Sequence, residues 1–176
     1  MPLLIKDRAV TADTWALLRT AASLADLPEN GSVIVPLKLW LQQRVTLSAR
    51  GNVGVWLAPA DDPAMLADDI ATLPLIAVDF PQFTDGRGYS TARLLREKYA
   101  FKGELRAVGD VLRDQLYYLA ASGFNAFALH ADRDPQEALK AFGDFSDNYQ
   151  ATVAQPLPHF SRRAASTFNV HGAKGQ

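Results

Sequence analysis

The sequence predicts a parallel α/β domain of about five strand-helix units, arranged as an open doubly wound sheet or as a partial TIM-like (β/α) barrel. Three observations carry this expectation. Short β-branched or apolar runs recur between Val33 and Leu129, and segments of helical period with Asp, Ser or Pro near their starts separate them. Strands joined through single helices need crossover connections, which makes the sheet parallel with right-handed crossovers. The eight units of a closed barrel exceed what 176 residues supply once the pattern fades beyond position 150.

Taken in order, Trp15, Leu17, Leu18, Ala21, Ala22 and Leu24 form a helical stripe with Thr11 as its N-cap, ending at the Pro28-Glu29-Asn30-Gly31 turn. Val33 to Val35 is a β-branched run closed by Pro36, and Leu37, Leu41, Val45 and Leu47 keep helical spacing up to Arg50-Gly51. Val53 to Leu57 is the next strand. Asp61-Asp62-Pro63 then opens a helix through Met65, Leu66 and Ile70; carboxylates at a helix start are favoured by the macrodipole, so they need no catalytic reading.

Leu75 to Phe80 is apolar throughout its Leu-Ile-Ala-Val core, as a strand covered on both faces requires. A helix over 89–99, with Ser90 as cap, leads to a strand over 104–108, a helix over 111–121 ending at Ser122-Gly123, and a strand over 124–129. Asp134-Pro135 opens a last helix through Ala138, Leu139 and Phe142, with Gly143 as a weak point. The expected organisation is an N-terminal segment with a first helix (1–30), the α/β domain (31–150) and a C-terminal tail (151–176), mobile or docked on a partner.

Hydrophobic residues make up 48% and charged residues 21%, ordinary globular usage that suggests neither disorder nor a fibrous repeat. A formal net charge of -1 argues against a general nucleic-acid binder, which needs a basic excess to displace counterions. The absence of cysteine excludes disulfides, thiolate nucleophiles and cluster ligation by this chain alone. Met1 to Arg8 is broken by Lys6, Asp7 and Arg8 and reads neither as a signal peptide nor as a membrane span, so the expected location is cytoplasmic.

Ligands of parallel α/β domains bind beyond the carboxyl ends of the strands. The richest such loop runs from Asp79 to Ser90. Gly86 and Gly88 permit close backbone approach, and Arg87 or Arg93 could fork onto an anion held by the following helix start, with Asp79, Asp85 and Ser90 beside it. The alternative is a tight turn in which Asp85 caps the helix and Arg87 pairs with an acid. Neither the dinucleotide fingerprint nor a phosphate-loop Gly-Lys-Ser/Thr occurs, so no cofactor is identifiable.

After the next strand, Asp110 is a candidate cap, and Arg113 and Asp114 point toward the same rim; His130, with Asp132, ends the strand after that and is an acid-base candidate or a surface residue. His159 and His171 lack ligand spacing, so no metal is assigned, and Trp15, Trp40, Trp56, Phe142 and Phe145 read as core or interface residues.

Val78-Asp79-Phe80-Pro81, Asp85 to Ser90, Ala92 to Arg96 and Gly103 to Gln115 resemble a bacterial domain-of-unknown-function family, number 934, described as oxidoreductase-like and involved in sulfite reduction. The resemblance covers about 33–150. It implies a role beside assimilatory sulfite reductase, whose catalytic subunit carries sirohaem and an iron-sulfur cluster, and it designates no catalytic residue. Two expectations follow. One is an accessory protein acting with the sulfite reductase catalytic subunit. The other is a small-molecule enzyme or sensor that binds an anion at the strand C-terminal rim through Arg87, Arg93 and Arg113.

Overall fold

A computed structural model describes residues 2–130 and 132–142; the tail, Gly143, Phe145, His159 and His171 lie outside the described residues. The strands are β1 (Leu3–Lys6), β2 (Ala9–Ala12), β3 (Trp15–Leu17), β4 (Ser32–Pro36), β5 (Val53–Leu57), β6 (Leu75–Phe80), β7 (Glu104–Gly109) and β8 (Ala126–Phe127). The helices are α1 (Leu37–Gln42), α2 (Arg44–Arg50), α3 (Arg87–Arg93, continued by a π turn over Leu94–Lys98), α4 (Leu116–Ala121) and α5 (Pro135–Leu139). Single 3-10 turns cover Leu24–Asp26, Pro63–Leu66, Arg113–Gln115 and Lys140–Phe142.

All eight strands form one sheet in the order β2-β1-β8-β7-β6-β5-β4-β3. From β3 to β8 the neighbours are consecutive and parallel, without the reversal of strand order that defines a doubly wound sheet. Of the two predicted architectures, this is the partial barrel. The five expected units are present: β4 with α1 and α2, β5 with the 63–66 turn, β6 with α3, β7 with α4 and β8 with α5.

The outer strands depart from the all-parallel expectation, because β1 is antiparallel to both β2 and β8. The β1–β2 hairpin turns on Asp7 and Arg8, both in the left-handed region (φ 50° and 63°), the paired conformation that matches the twist of two-residue hairpins. Asn125 secures this turn: its carbonyl accepts the Asp7 N–H at 2.8 Å and its side-chain amide donates to the Asp7 carboxylate at 3.1 Å.

The edge strands β2 and β3 are separated in the chain by Asp13 and Thr14 alone. A flat eight-stranded sheet is about 34 Å across at the usual strand spacing, whereas three Cα steps span at most about 11 Å. The sheet therefore curls until one end of each edge meets at this seam.

Strand alternation sorts the side chains onto two faces. Val33, Val35, Val53, Val55, Leu57, Ile76, Val78, Phe80, Leu105, Ala107 and Phe127 join the main core with Leu39, Trp40, Leu47, Leu66, Leu95, Leu116 and Leu119 of the helices and turns. The concave face holds a smaller cluster of Ile34, Leu75, Ala77 and Val108, flanked by Trp15, Leu17, Trp56 and Ala128. Each fully buried Val, Leu, Ile or Phe contributes roughly 1.5–3 kcal/mol relative to exposure, so the convex core dominates the stability.

Several local expectations are corrected. The first helix is β3 followed by a single 3-10 turn, and Thr11 lies in β2 instead of capping a helix. The residues after Asp61-Asp62-Pro63 form one 3-10 turn; its N-terminal reading holds, since the Asp62 carboxylate accepts the Ala64 N–H and Asp61 that of Ala58. Only Ala126 and Phe127 of the 124–129 run pair as a strand. Ser90 lies inside α3, which begins at Arg87 because Asp85 already turns the chain. Asp134 caps α5 as expected, accepting the Gln136 N–H at 2.9 Å.

Candidate functional site

Strand β7 reads Glu-Leu-Arg-Ala-Val-Gly, and alternation sends Leu105 and Ala107 to the helices while Glu104, Arg106 and Val108 face the concave side. The cross-strand partners of Arg106 are Ala77 and Ala126, whose methyl groups leave room for a guanidinium. Arg106 is only 2% exposed. Its Nε and Nη2 reach Glu104 Oε1, both at 2.7 Å, and Nη1 reaches both oxygens of Asp13 at 2.9 Å. Lys6 closes the chain on Glu104 Oε2 at 2.8 Å. The two acids and two bases cancel, which meets the requirement that buried charge be paired. Asp13 belongs to the seam and Arg106 to the middle of the sheet, so this bond spans the concavity.

At the carboxyl ends of the strands the concavity opens into a cleft of about 580 Å³. Its floor and walls include Leu17, Ile34, Phe80 and Val108, and its polar groups are Asp13, Arg19, Asp79, Arg106, Asp110 and His130. Arg19 follows β3 and is half exposed; its Nη2 donates to Asp79 Oδ1 at 2.9 Å at the end of β6. Gly109 (φ 99°) ends β7, and an added Cβ would overlap the Phe80 carbonyl oxygen and lie 3.2 Å from Asp79 Oδ1. A residue without a side chain is required there, and it brings Asp79 and Asp110 to one rim. Asp110 holds the loop after β6 by accepting the Phe83 N–H at 3.1 Å, and Gln115 donates to the Phe83 carbonyl at 2.6 Å.

On the far rim His130 Nδ1 lies 2.8 Å from Asp132 Oδ1. This hydrogen bond, then the imidazole charge and Arg133, hold the Asp132 carboxyl below its ordinary range. The carboxylate occupies Nδ1, so Nε2 is the ring nitrogen left to exchange a proton with a ligand. Beneath the mouth, the Trp56 indole N–H is enclosed without an acceptor among the described residues. Among the described residues no group of three His, Asp or Glu is placed to hold a metal ion, and no helix is long and apolar enough to cross a membrane.

Of the predicted site residues, Asp79, Asp110 and His130 line this cleft. Asp110 does so as a brace for the neighbouring loop, not as the cap of its own helix. Asp85 and Arg87 form the tight-turn alternative: Asp85 Oδ1 accepts the Arg87 N–H at 3.1 Å, and the guanidinium returns two bonds to the same carboxylate at 3.0 and 2.7 Å. Each holds the other charged, the Asp85 carboxyl lowered and the Arg87 guanidinium raised, chiefly by this side-chain bond. Gly88 is buried under Phe80, whose ring would overlap any Cβ there, so its smallness serves packing. Gly86 and Ser90 are exposed at the start of α3 and within it. Arg93 faces Glu97 one turn on at 3.6 Å, an intrahelical pair. Arg113 and Asp114 sit in the 3-10 turn before α4 and do not join the cleft wall.

The cations of the cleft are instead Arg19 and Arg106, and with Asp13 they are the residues that sequence reasoning missed. A signal existed for Arg106: a strand that alternates Glu-x-Arg within an apolar context places two opposite charges on one face. Arg19 and Asp13 carried none, since only the curl brings the seam to β6 and β7.

The family model described as "Bacterial protein of unknown function (DUF934)" matches residues 54–160, well over half of the chain. No curated protein and no solved structure matches it.

Proposed function

We propose, on the premise that the chain belongs to that bacterial family, that it binds a small anionic ligand at the carboxyl mouth of its curled sheet and acts there as an enzyme or sensor in the cytoplasm. The observation that carries this reading is the convergence of Asp13, Arg19, Asp79, Arg106, Asp110 and His130, contributed by five separate segments, on one cleft. Arg19 has a single bond, to Asp79, among the described residues, so the rest of its fork is open to an anion. Asp79 fixes where that fork points. The oriented His130 adds an acid-base group at the rim.

The test is a thermal-shift panel of oxyanions, carboxylates, flavins and pyridine nucleotides. A ligand at a hundred times its Kd stabilises by about 2.7 kcal/mol, roughly 5–10 °C for a chain of this size. Arg19→Gln should abolish the shift. A flat response across the panel would sink the reading.

A second reading is an accessory protein that contacts the sulfite reductase catalytic subunit. The family resemblance supports it, and so does Phe83. This ring is 53% exposed on a loop whose backbone is fixed at both its N–H and its carbonyl, so a partner would find a pre-organised aromatic anchor. Affinity capture from cells assimilating sulfate should enrich the reductase, and Phe83→Ser should reduce the yield. Capture without the reductase counts against this second role.

A further inference from the structure

The cleft leaves one matter open, namely where the ligand's charge rests, since its lining carries three carboxylates against two guanidinium groups. Beside it lies a second cavity of about 310 Å³, between the segment after β3 and the start of α1. Its ionisable lining residues are Arg19 and Lys38, with Thr20 and Gln42 as further polar side chains and no carboxylate. Lys38, Thr20 and Gln42 make no side-chain hydrogen bond or ion pair to any described residue. Arg19 lines both cavities. Arg19 has its acid, Asp79, on the cleft side and Lys38 has none among the described residues, so an anion with several acceptor oxygens would complement both donors from within the hollow.

We propose that this cavity is an oxyanion subsite, which takes the phosphate, sulfate or sulfonate head of a small molecule whose body lies in the cleft beside Asp110. Arg19 is the hinge of the two parts: its Asp79-bonded edge belongs to the cleft and its free edge to the subsite. The inference rests on the ligand-binding reading and adds to it the chemical class of the head group. The acids of the cleft suit a hydrogen-bond-donating or cationic body, so the favoured ligand is an oxyanion ester or sulfonate that also carries an amine or hydroxyl.

The experiment titrates inorganic sulfate, inorganic phosphate and O-phosphoserine into the full chain, followed by calorimetry and thermal shift. Lys38→Gln should weaken all three by roughly tenfold, the usual scale for one charge-assisted contact. Lys102→Gln removes another exposed lysine, one that does not line the cavity, and should leave them unchanged. Asp110→Asn should weaken O-phosphoserine alone. Equal losses from Lys38→Gln and Lys102→Gln would reduce the effect to net charge and overturn the subsite. Silence from sulfate, phosphate and O-phosphoserine overturns the subsite; the ligand-binding reading then stands if a carboxylate, flavin or pyridine nucleotide of the thermal-shift panel binds, and falls with it if all of them are silent too.

Discussion

Replacing Asp13 by Asn tests whether the seam of the sheet is held by charge. The wild-type carboxylate takes two bonds of 2.9 Å from Arg106, itself 2% exposed. Breaking a buried ion pair outright costs about 3–5 kcal/mol. Here Glu104 still compensates Arg106, and the asparagine oxygen retains one acceptor, so the loss is nearer that of one charge-assisted hydrogen bond, about 2 kcal/mol. For a domain of this size that is a fall in Tm of roughly 4–8 °C.

Urea unfolding of the wild type, Asp13→Asn, Arg106→Met and the double variant closes a thermodynamic cycle. The structure requires that Asp13→Asn cost almost nothing once Arg106 is gone, a coupling of at least about 1.5 kcal/mol. Additivity within about 0.5 kcal/mol would refute the reasoning, because independent sites behave that way. The same variant should also disturb ligand binding, since Asp13 and Arg106 both line the cleft.

Gly109→Ala should destabilise by more than the roughly 1 kcal/mol of left-handed strain alone, because its methyl meets the Phe80 carbonyl; circular dichroism melts measure it, and a neutral result would show that the rim relaxes freely. Asp69→Ala leaves the Trp40 indole N–H, now 2.9 Å from the carboxylate, buried without an acceptor and takes the ion pair from Arg44, for a loss of about 1–3 kcal/mol in urea unfolding. Tyr89 is half-buried edge-on against Phe80, and burial raises its hydroxyl above the ordinary value of 10.0. The folded state thus holds this proton more tightly than the unfolded chain, so the contribution to stability is complete below pH 10 and declines as pH rises through the folded value. Tyr89→Phe should flatten that alkaline decline; a slope unchanged between the two proteins would place its origin elsewhere.

The five strand-helix units were legible because their strands are covered on the convex face by helices and, at β6, on both faces, which leaves continuous apolar runs such as Leu75 to Val78. The N-terminal quarter was not. Trp15, Leu17, Leu18 and Ala21 satisfy a helical period by coincidence, and a three-residue edge strand is too short for period-two alternation to outvote it. For the site, strand ends pointed to Asp79, Asp110 and His130. At Arg87 local pattern allowed both an anion site and a tight turn, and the turn is what forms: Asp85, two residues away, takes two of its guanidinium nitrogens. Arg19 and Asp13 could not be found from local pattern, since their partners lie 60 and 93 residues away.

The placement of β1 beside β8 has a consequence for the order of events during synthesis. Ile5 pairs with Phe127, so the β1–β2 hairpin waits for more than a hundred further residues before its neighbour exists. At 5–20 residues per second that interval is roughly 6–24 s. A lone two-stranded hairpin is marginal in water, and this one turns on two non-glycine residues in the left-handed region. The β1–β2 hairpin thus has no sheet neighbour until β8 is made, and both its pairing with β8 and the Asp13 clamp on Arg106, which completes the mouth of the cleft, join segments far apart in the chain.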